Sequence, residues 1–165
     1  MRYLTIVRHA KSGWDNPAQP DFERTLSTRG EHDARLMGER LAMQRFRPDL
    51  VVSSPARRAM QTASLICENI GIPVASVIMN DNIYEATLGA LQQVVEALPD
   101  TGQHVMLFGH NPGFEALCNY VEAGSIATLT TCNVVQYRLD IDVWKAFDRD
   151  CGELISHQTP KDRVG

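Results

Sequence analysis

A three-layer α/β/α sandwich around a mostly parallel sheet is the fold class predicted, on three observations. Short apolar and β-branched runs alternate with stretches whose apolar residues recur at helical spacing. Twice such a run is followed at once by a capping residue and a proline, Ser54-Pro55 and Asn111-Pro112, the signature of a helix that begins where a strand ends. The length, 165 residues, suits one domain over 1–165 with a substantial buried core.

Residues 3–7 form a short β-branched run and read as the first buried strand. Residues 11–25 are polar, with Gly13, Pro17 and Pro20, and read as a functional loop. Ser27 is the predicted N-cap of a helix over 28–45, with Ala34, Met37 and Leu41 on its buried face. Residues 49–53 are the second strand. Ser54 then caps a helix, with Pro55 at its first position, that runs to Ile70 and stops at Gly71. Ala59, Ala63, Ile66 and Ile70 share one face of it. A third strand is expected over 74–79, a third helix on the stripe Leu88, Leu91, Val95 and Leu98, and a fourth strand over 104–108. Asn111-Pro112 opens a helix to about Val121. Strands over 133–139 and 153–157, with a helical turn near Trp144 between them, complete the chain.

Composition narrows the function. The net charge is −4, so no broad basic surface argues for nucleic acid or an anionic membrane. No apolar run approaches the roughly 20 residues of a membrane span. The N-terminal apolar stretch is too short for a signal peptide and meets Arg8-His9 at once. Cys67, Cys118, Cys132 and Cys151 lie far apart, with no Cys-x-x-Cys pair, which points to reduced thiols and a cytoplasmic location. No His-Glu-x-x-His or comparable ligand set is present, and no cofactor or metal is expected. His32, His104 and His157 stand outside any motif and read as structural or exposed.

Ligands of parallel α/β sheets bind beyond the carboxyl ends of the strands. Four such ends carry polar residues: Arg8-His9, Ser54 to Arg58, Asn80 to Glu85, and Gly109-His110-Asn111. Two of them open helices, whose N-termini favour an anion. Arg8, Arg58, His9 and His110 together would surround one phosphoryl group. Guanidinium forks match phosphate oxygens, and a neutral imidazole can attack phosphorus. Arg57 lies about 100° around the helix from Arg58 and reads as surface.

Three segments carry a family resemblance. Val7-Arg8-His9-Ala10 resembles the Arg-His-Gly signature of the histidine phosphatase (phosphoglycerate mutase-like) superfamily. Ser53 to Ala63 resembles its second motif and Phe108-Gly109-His110-Asn111-Pro112 its third. The short length, Arg24 to Gly30 and Thr159-Pro160-Lys161-Asp162 are similar to SixA-type phosphohistidine phosphatases. The resemblance implies the phosphoglycerate mutase-like fold and a phospho-His9 intermediate, with Arg8, Arg58 and His110 holding the phosphoryl group. Arg24 is implied as an additional phosphate or substrate contact.

Three features depart from that pattern. Ala10 stands in place of the usual glycine, Asp15 stands where mutases show asparagine, and long insertions are missing. The implied activity is therefore a metal-independent phosphatase of signal transduction, acting on protein phosphohistidine such as a phosphotransfer domain. A small-molecule phosphomonoesterase or mutase is the first alternative, and an inactive phosphoprotein-binding module the second. Two residues keep two readings. Glu85 is either a general acid with a pKa raised by burial, or else a solvated loop carboxylate or the partner of an arginine. Trp14 either packs the active-site loop or touches substrate.

Overall fold

Strand periodicity divides the chain between two cores. In β4 (His104–Gly109), Val105 and Leu107 enter one core while Met106 and Phe108 enter the other. In β1 (Arg2–Arg8), Leu4 and Ile6 join the first core and Val7 the second. A sheet buried on both faces needs a helical layer on each. The computed structural model, which describes residues 1–13 and 16–162, supplies both. Helices α1 (Thr28–Met43) and α2 (Arg57–Ile70) cover one face through Ala34, Met37, Leu41, Ala63 and Ile66. Helices α3 (Leu88–Glu96) and α4 (Gly113–Val121) cover the other through Leu91, Val95, Phe114 and Leu117.

With β2 (Leu50–Ser53), β3 (Ile78–Met79), β5 (Val134–Leu139) and β6 (Gly152–Gln158), the sheet order is β3-β2-β4-β1-β5-β6. The pairs from β3 to β1 are parallel, and β5 and β6 add antiparallel to the far side of β1. The fold class is thus as predicted. The first strand lies inside the sheet, flanked by β4 and β5, so the chain segment that follows it is fixed on both sides.

Three local expectations need correction. Residues 74–79 do not form a full strand. A 3-10 turn, Val74–Ser76, follows Pro73, and only Ile78–Met79 pair with β2. That edge is short and exposed, as edge strands tend to be. Helix α2 begins at Arg57 rather than at Pro55, with Ala56 as its N-cap, although the Ser54 hydroxyl accepts from Ala56 N at 3.2 Å. Helix α4 begins at Gly113, after a cis Asn111-Pro112 bond. Asn111 still caps it, accepting from Glu115 N at 3.1 Å. Ser27 does cap α1, accepting from Gly30 N at 3.0 Å, and Gly71 ends α2 at φ 76°.

The start of α1 is locked to the loop after β1. The Lys11 carbonyl accepts from Ser27 N at 2.9 Å and from Ser27 Oγ at 3.1 Å. The contact is possible because Gly30 has no side chain, since a Cβ there would lie 2.0 Å from the Lys11 oxygen. Gly30→Ala is therefore expected to destabilise the protein by about 1–3 kcal/mol in urea unfolding, through displacement of backbone rather than of a mobile side chain.

Candidate active site

Backbone hydrogen bonds bring the four polar strand ends together, the one after β3 through Asn80 N, which donates to Ser53 O at 2.9 Å. His9 N donates to Gly109 O at 3.0 Å, and Ser54 N donates to Phe108 O at 2.9 Å. Cys132 N, from the segment entering β5, lies between the carbonyls of Arg8 and His9 at 3.0 and 3.1 Å. Beyond these peptides opens a cavity of about 360 Å³. Arg8, His9, Arg24, Arg58 and His110 all line it, with Lys11, Ser12, Asn111 and Thr131.

His9 is held in one orientation. Its Nδ1 lies 2.7 Å from the carbonyl of Ala10, an acceptor only, so Nδ1 carries the proton and Nε2 the lone pair. Burial chiefly lowers its pKa to about 4; the Ala10 carbonyl opposes this, and Arg58, Arg8 and Arg24 add to it. The imidazole is thus neutral at physiological pH. Ala10 in turn donates its N–H to Thr62 Oγ1 at 2.9 Å, and that hydroxyl donates to Arg58 O at 2.8 Å. Ala10 lies outside the left-handed region, so the departure from glycine strains nothing.

The arginines are oriented by neighbours the sequence reading did not single out. Arg58 donates from Nη1 to Asp21 O at 2.7 Å and from Nη2 to Asp21 Oδ2 at 3.0 Å. Arg24 reaches Asp21 Oδ1 at 2.9 Å and also bonds Ser12 Oγ. Tyr84 donates its hydroxyl to Asp21 Oδ2 at 2.6 Å. Tyr84 first, then Arg58 and Arg24, hold the Asp21 carboxyl down at about 2. Arg8 donates to Leu129 O at 2.9 Å, an oxygen shared with Asn111 Nδ2 at 2.8 Å, and burial lowers its pKa. Arg57 is exposed, as expected.

His110 lies 5.2 Å from His9, ring centre to ring centre, with Tyr84 edge-on at 5.6 Å on its other side. Its Nε2 is 2.7 Å from Ser54 Oγ. Its buried Nδ1 finds no hydrogen-bond partner among the described residues. Burial first, then His9 and Arg58, lower its pKa to about 3.

Glu85 stands apart from the other predicted site residues: it is exposed, at φ 52°, and does not line the cavity. Trp14 and Asp15 lie outside the described residues. Of the motif-free histidines, His104 sits 2.8 Å from Thr5 Oγ1, His157 sits 2.9 Å from Asn133 Oδ1, and His32 is exposed. Among the described residues no three His, Cys, Asp or Glu side chains are gathered so as to hold a metal ion, and no helix is long and apolar enough to cross a membrane. All four cysteines are free thiols. Asp21 was legible only as a loop carboxylate three residues before Arg24; no local pattern marks it as a partner of Arg58.

The model of the histidine phosphatase superfamily (branch 1) matches residues 4–105. In structure the chain is similar to the protein named as the phosphohistidine phosphatase SixA of Agrobacterium tumefaciens. The TM-score is 0.81 at 28% identity, covering 96% of this chain and 98% of that one. In sequence it is 31% identical over 153 residues to an uncharacterised chloroplastic protein of Arabidopsis thaliana, covering 87% of this chain and 69% of that protein. It is 35% identical over 96 residues to a 2,3-bisphosphoglycerate-dependent phosphoglycerate mutase of Thermobifida fusca, a stretch covering 56% of this chain and 38% of the mutase.

Three imidazoles, His9 and His110 buried and His104 half-buried, make stability depend on pH. His9, His104 and His110 have pKa values lowered from 6.5 to about 4, 4 and 3, burial being the first cause for each. Between pH 6.5 and 4 the unfolded chain therefore binds more protons than the folded one, and stability falls as pH falls. The expected loss is on the order of 1 kcal/mol per histidine per pH unit, read by urea unfolding at pH 7, 6 and 5. His104→Gln, which keeps a partner for Thr5, should flatten the slope by one histidine's share; an unchanged slope would contradict the assignment.

Proposed function

We propose that this chain, which belongs to the histidine phosphatase superfamily, hydrolyses protein phosphohistidine through a phospho-His9 intermediate without a metal. The observation that carries the reading is the chemistry of the cavity wall. It presents two neutral imidazoles, three guanidiniums and a lysine, and among the described residues no carboxylate. Asp21 stays ionised and faces the arginines, and Glu85 lies exposed off the wall. Such a site is well supplied to attack phosphorus and poorly supplied to protonate a leaving alkoxide. A phosphorylated imidazole needs no such acid, because its leaving nitrogen can be protonated before the bond breaks.

In the first step His9 Nε2 forms a bond to phosphorus. The substrate's P–N bond breaks in line, and its electron pair stays on the departing imidazole. In the second step water attacks phospho-His9, the P–Nε2 bond breaks, and inorganic phosphate leaves with His9 neutral again. Arg8 and Arg58 stabilise the equatorial oxygens through both steps, and Arg24 binds phosphate or substrate beside them. In the tautomer in which the Ser54 hydroxyl donates to His110 Nε2, 2.7 Å away, the His110 proton sits on Nδ1. That nitrogen, without a partner among the described residues, is then a donor that a phosphoryl oxygen would satisfy. The likeness to a phosphoglycerate mutase supports a second reading, a small-molecule phosphomonoesterase or mutase, which uses the same nucleophile.

Initial rates on a phosphohistidine protein, an aryl phosphate and a sugar phosphate test the choice. Phosphohistidine is expected to exceed the sugar phosphate by about 100-fold or more, the share an absent general acid forfeits. Turnover of the sugar phosphate alone would overturn the substrate assignment. His9→Ala should abolish both turnover and the acid-labile phosphoenzyme, and Arg58→Ala should lower kcat/KM by about 100-fold or more. Added chelator should leave the rate unchanged; loss of activity with it would overturn the metal-free mechanism.

A further inference from the structure

A second cleft lies beside the catalytic cavity and shares two of its wall residues, Lys11 and Thr131. Its volume is about 180 Å³, and Arg29, Asp33, Thr130 and the segment Thr159 to Lys161 complete it. Resting on the phosphohistidine reading above, we infer that this cleft binds acidic side chains next to the phosphorylated residue of a protein substrate.

The cleft is cationic although the chain as a whole carries −4. Lys11, Arg29 and Lys161 converge on it, and both nearby carboxylates are already engaged. Asp33 pairs with Arg29 at 3.9 Å. Asp162 accepts from Thr159 N at 2.8 Å and from Thr159 Oγ1 at 3.0 Å. Among the described residues no carboxylate pairs with Lys11 or Lys161. Thr130 Oγ1 accepts from Asn133 Nδ2 at 2.7 Å, which leaves its hydroxyl proton to donate to an anion.

The outer wall is held in place from beneath. Arg40, 7% exposed, donates to Thr159 O at 2.7 Å and to Asp162 O at 3.2 Å. A guanidinium taken out of water is costly, and here its bonds go to the turn that carries Lys161. The turn therefore presents its lysine from a fixed backbone, which lowers the ordering cost of binding.

Size argues for a chain segment rather than a metabolite. A small phosphate ester fits within the 360 Å³ cavity alone. A ligand that fills both spaces must extend across the ridge of Lys11 and Thr131, as residues neighbouring a phosphohistidine do.

The test compares phosphohistidine peptides with glutamate or alanine flanks against free phosphohistidine, in wild type and in Arg29→Gln/Lys161→Glu. Neither substituted residue lines the catalytic cavity. Wild type is expected to favour the acidic peptide about 5- to 10-fold in kcat/KM, a margin that shrinks with added salt. The double variant should lose that preference while turning over free phosphohistidine at the wild-type rate. If the double variant fails to fold, Lys161→Glu alone, on an exposed turn, should halve the preference or better. No preference in wild type, or one that survives the substitutions, overturns the inference. So does an equal advantage for a small bisphosphate over its monophosphate. If free phosphohistidine is not hydrolysed at all, the catalytic reading fails separately. The cleft is then judged by binding of the same peptides to His9→Ala protein: weaker binding of the acidic peptide in the double variant sustains it, and equal binding overturns it.

Discussion

The hydrogen bond from His9 Nδ1 to its neighbour's carbonyl is the contact on which the site depends. An imidazole among three arginines has two ways to be useless: protonated, or neutral with the wrong nitrogen free. Burial and the arginines prevent the first by holding its pKa near 4. The Ala10 carbonyl, at 2.7 Å, prevents the second. These influences oppose each other on the pKa, since the carbonyl favours the protonated ring, and burial outweighs it. The proposed nucleophile is therefore made by position rather than by an adjacent base.

Much of the surrounding architecture keeps that carbonyl where it is. Ala10 N is tied to Thr62, Thr62 to the Arg58 carbonyl, and Gln61 Oε1 accepts from Leu26 N at 2.8 Å. One turn of α2 thus sends Arg58 into the cavity and uses the next two polar residues to fix the segments on either side. Because β1 is paired on both edges, the peptide of His9 cannot shift without disturbing the sheet. Asp21 works from the opposite side. Its one carboxylate orients Arg58 and Arg24 and is itself held by Tyr84, so the two cations do not repel each other unscreened.

Those arrangements explain which parts were legible in the sequence. Arg8, His9, Arg58 and His110 each adjoin a strand end, and strand ends are marked by local alternation and by Ser-Pro and Asn-Pro pairs. Local signals were enough for them. They were less reliable where a side chain had two possible partners. Ser54 looks like a helix cap, yet its hydroxyl faces His110, a residue distant in sequence, and the helix starts later. The run over 74–79 has strand-like residues, but Pro73 directs a turn and leaves two residues at an exposed edge. Asp21 lies in a polar loop, and its importance comes only from contacts with Arg58 and Tyr84 across the fold. Glu85 shows the converse: it adjoins a strand end, yet its backbone is left-handed and its side chain is exposed.

The same electrostatics limits what the site can do. A carboxylic acid poised to protonate an alkoxide must keep its proton near neutral pH, which requires burial away from cations. Every position close to phosphorus in this cavity is close to Arg8, Arg24 or Arg58. Asp21, beside that set, is held down at about 2, first by the Tyr84 hydroxyl and then by Arg58 and Arg24. A carboxyl brought into the wall would meet the same arginines, which favour its ionised form. On the proposed mechanism, the cluster that activates His9 and would stabilise a transferring phosphoryl group therefore works against a general acid in the same space. The proposed selectivity for leaving groups that bring their own proton then follows from how His9 is activated.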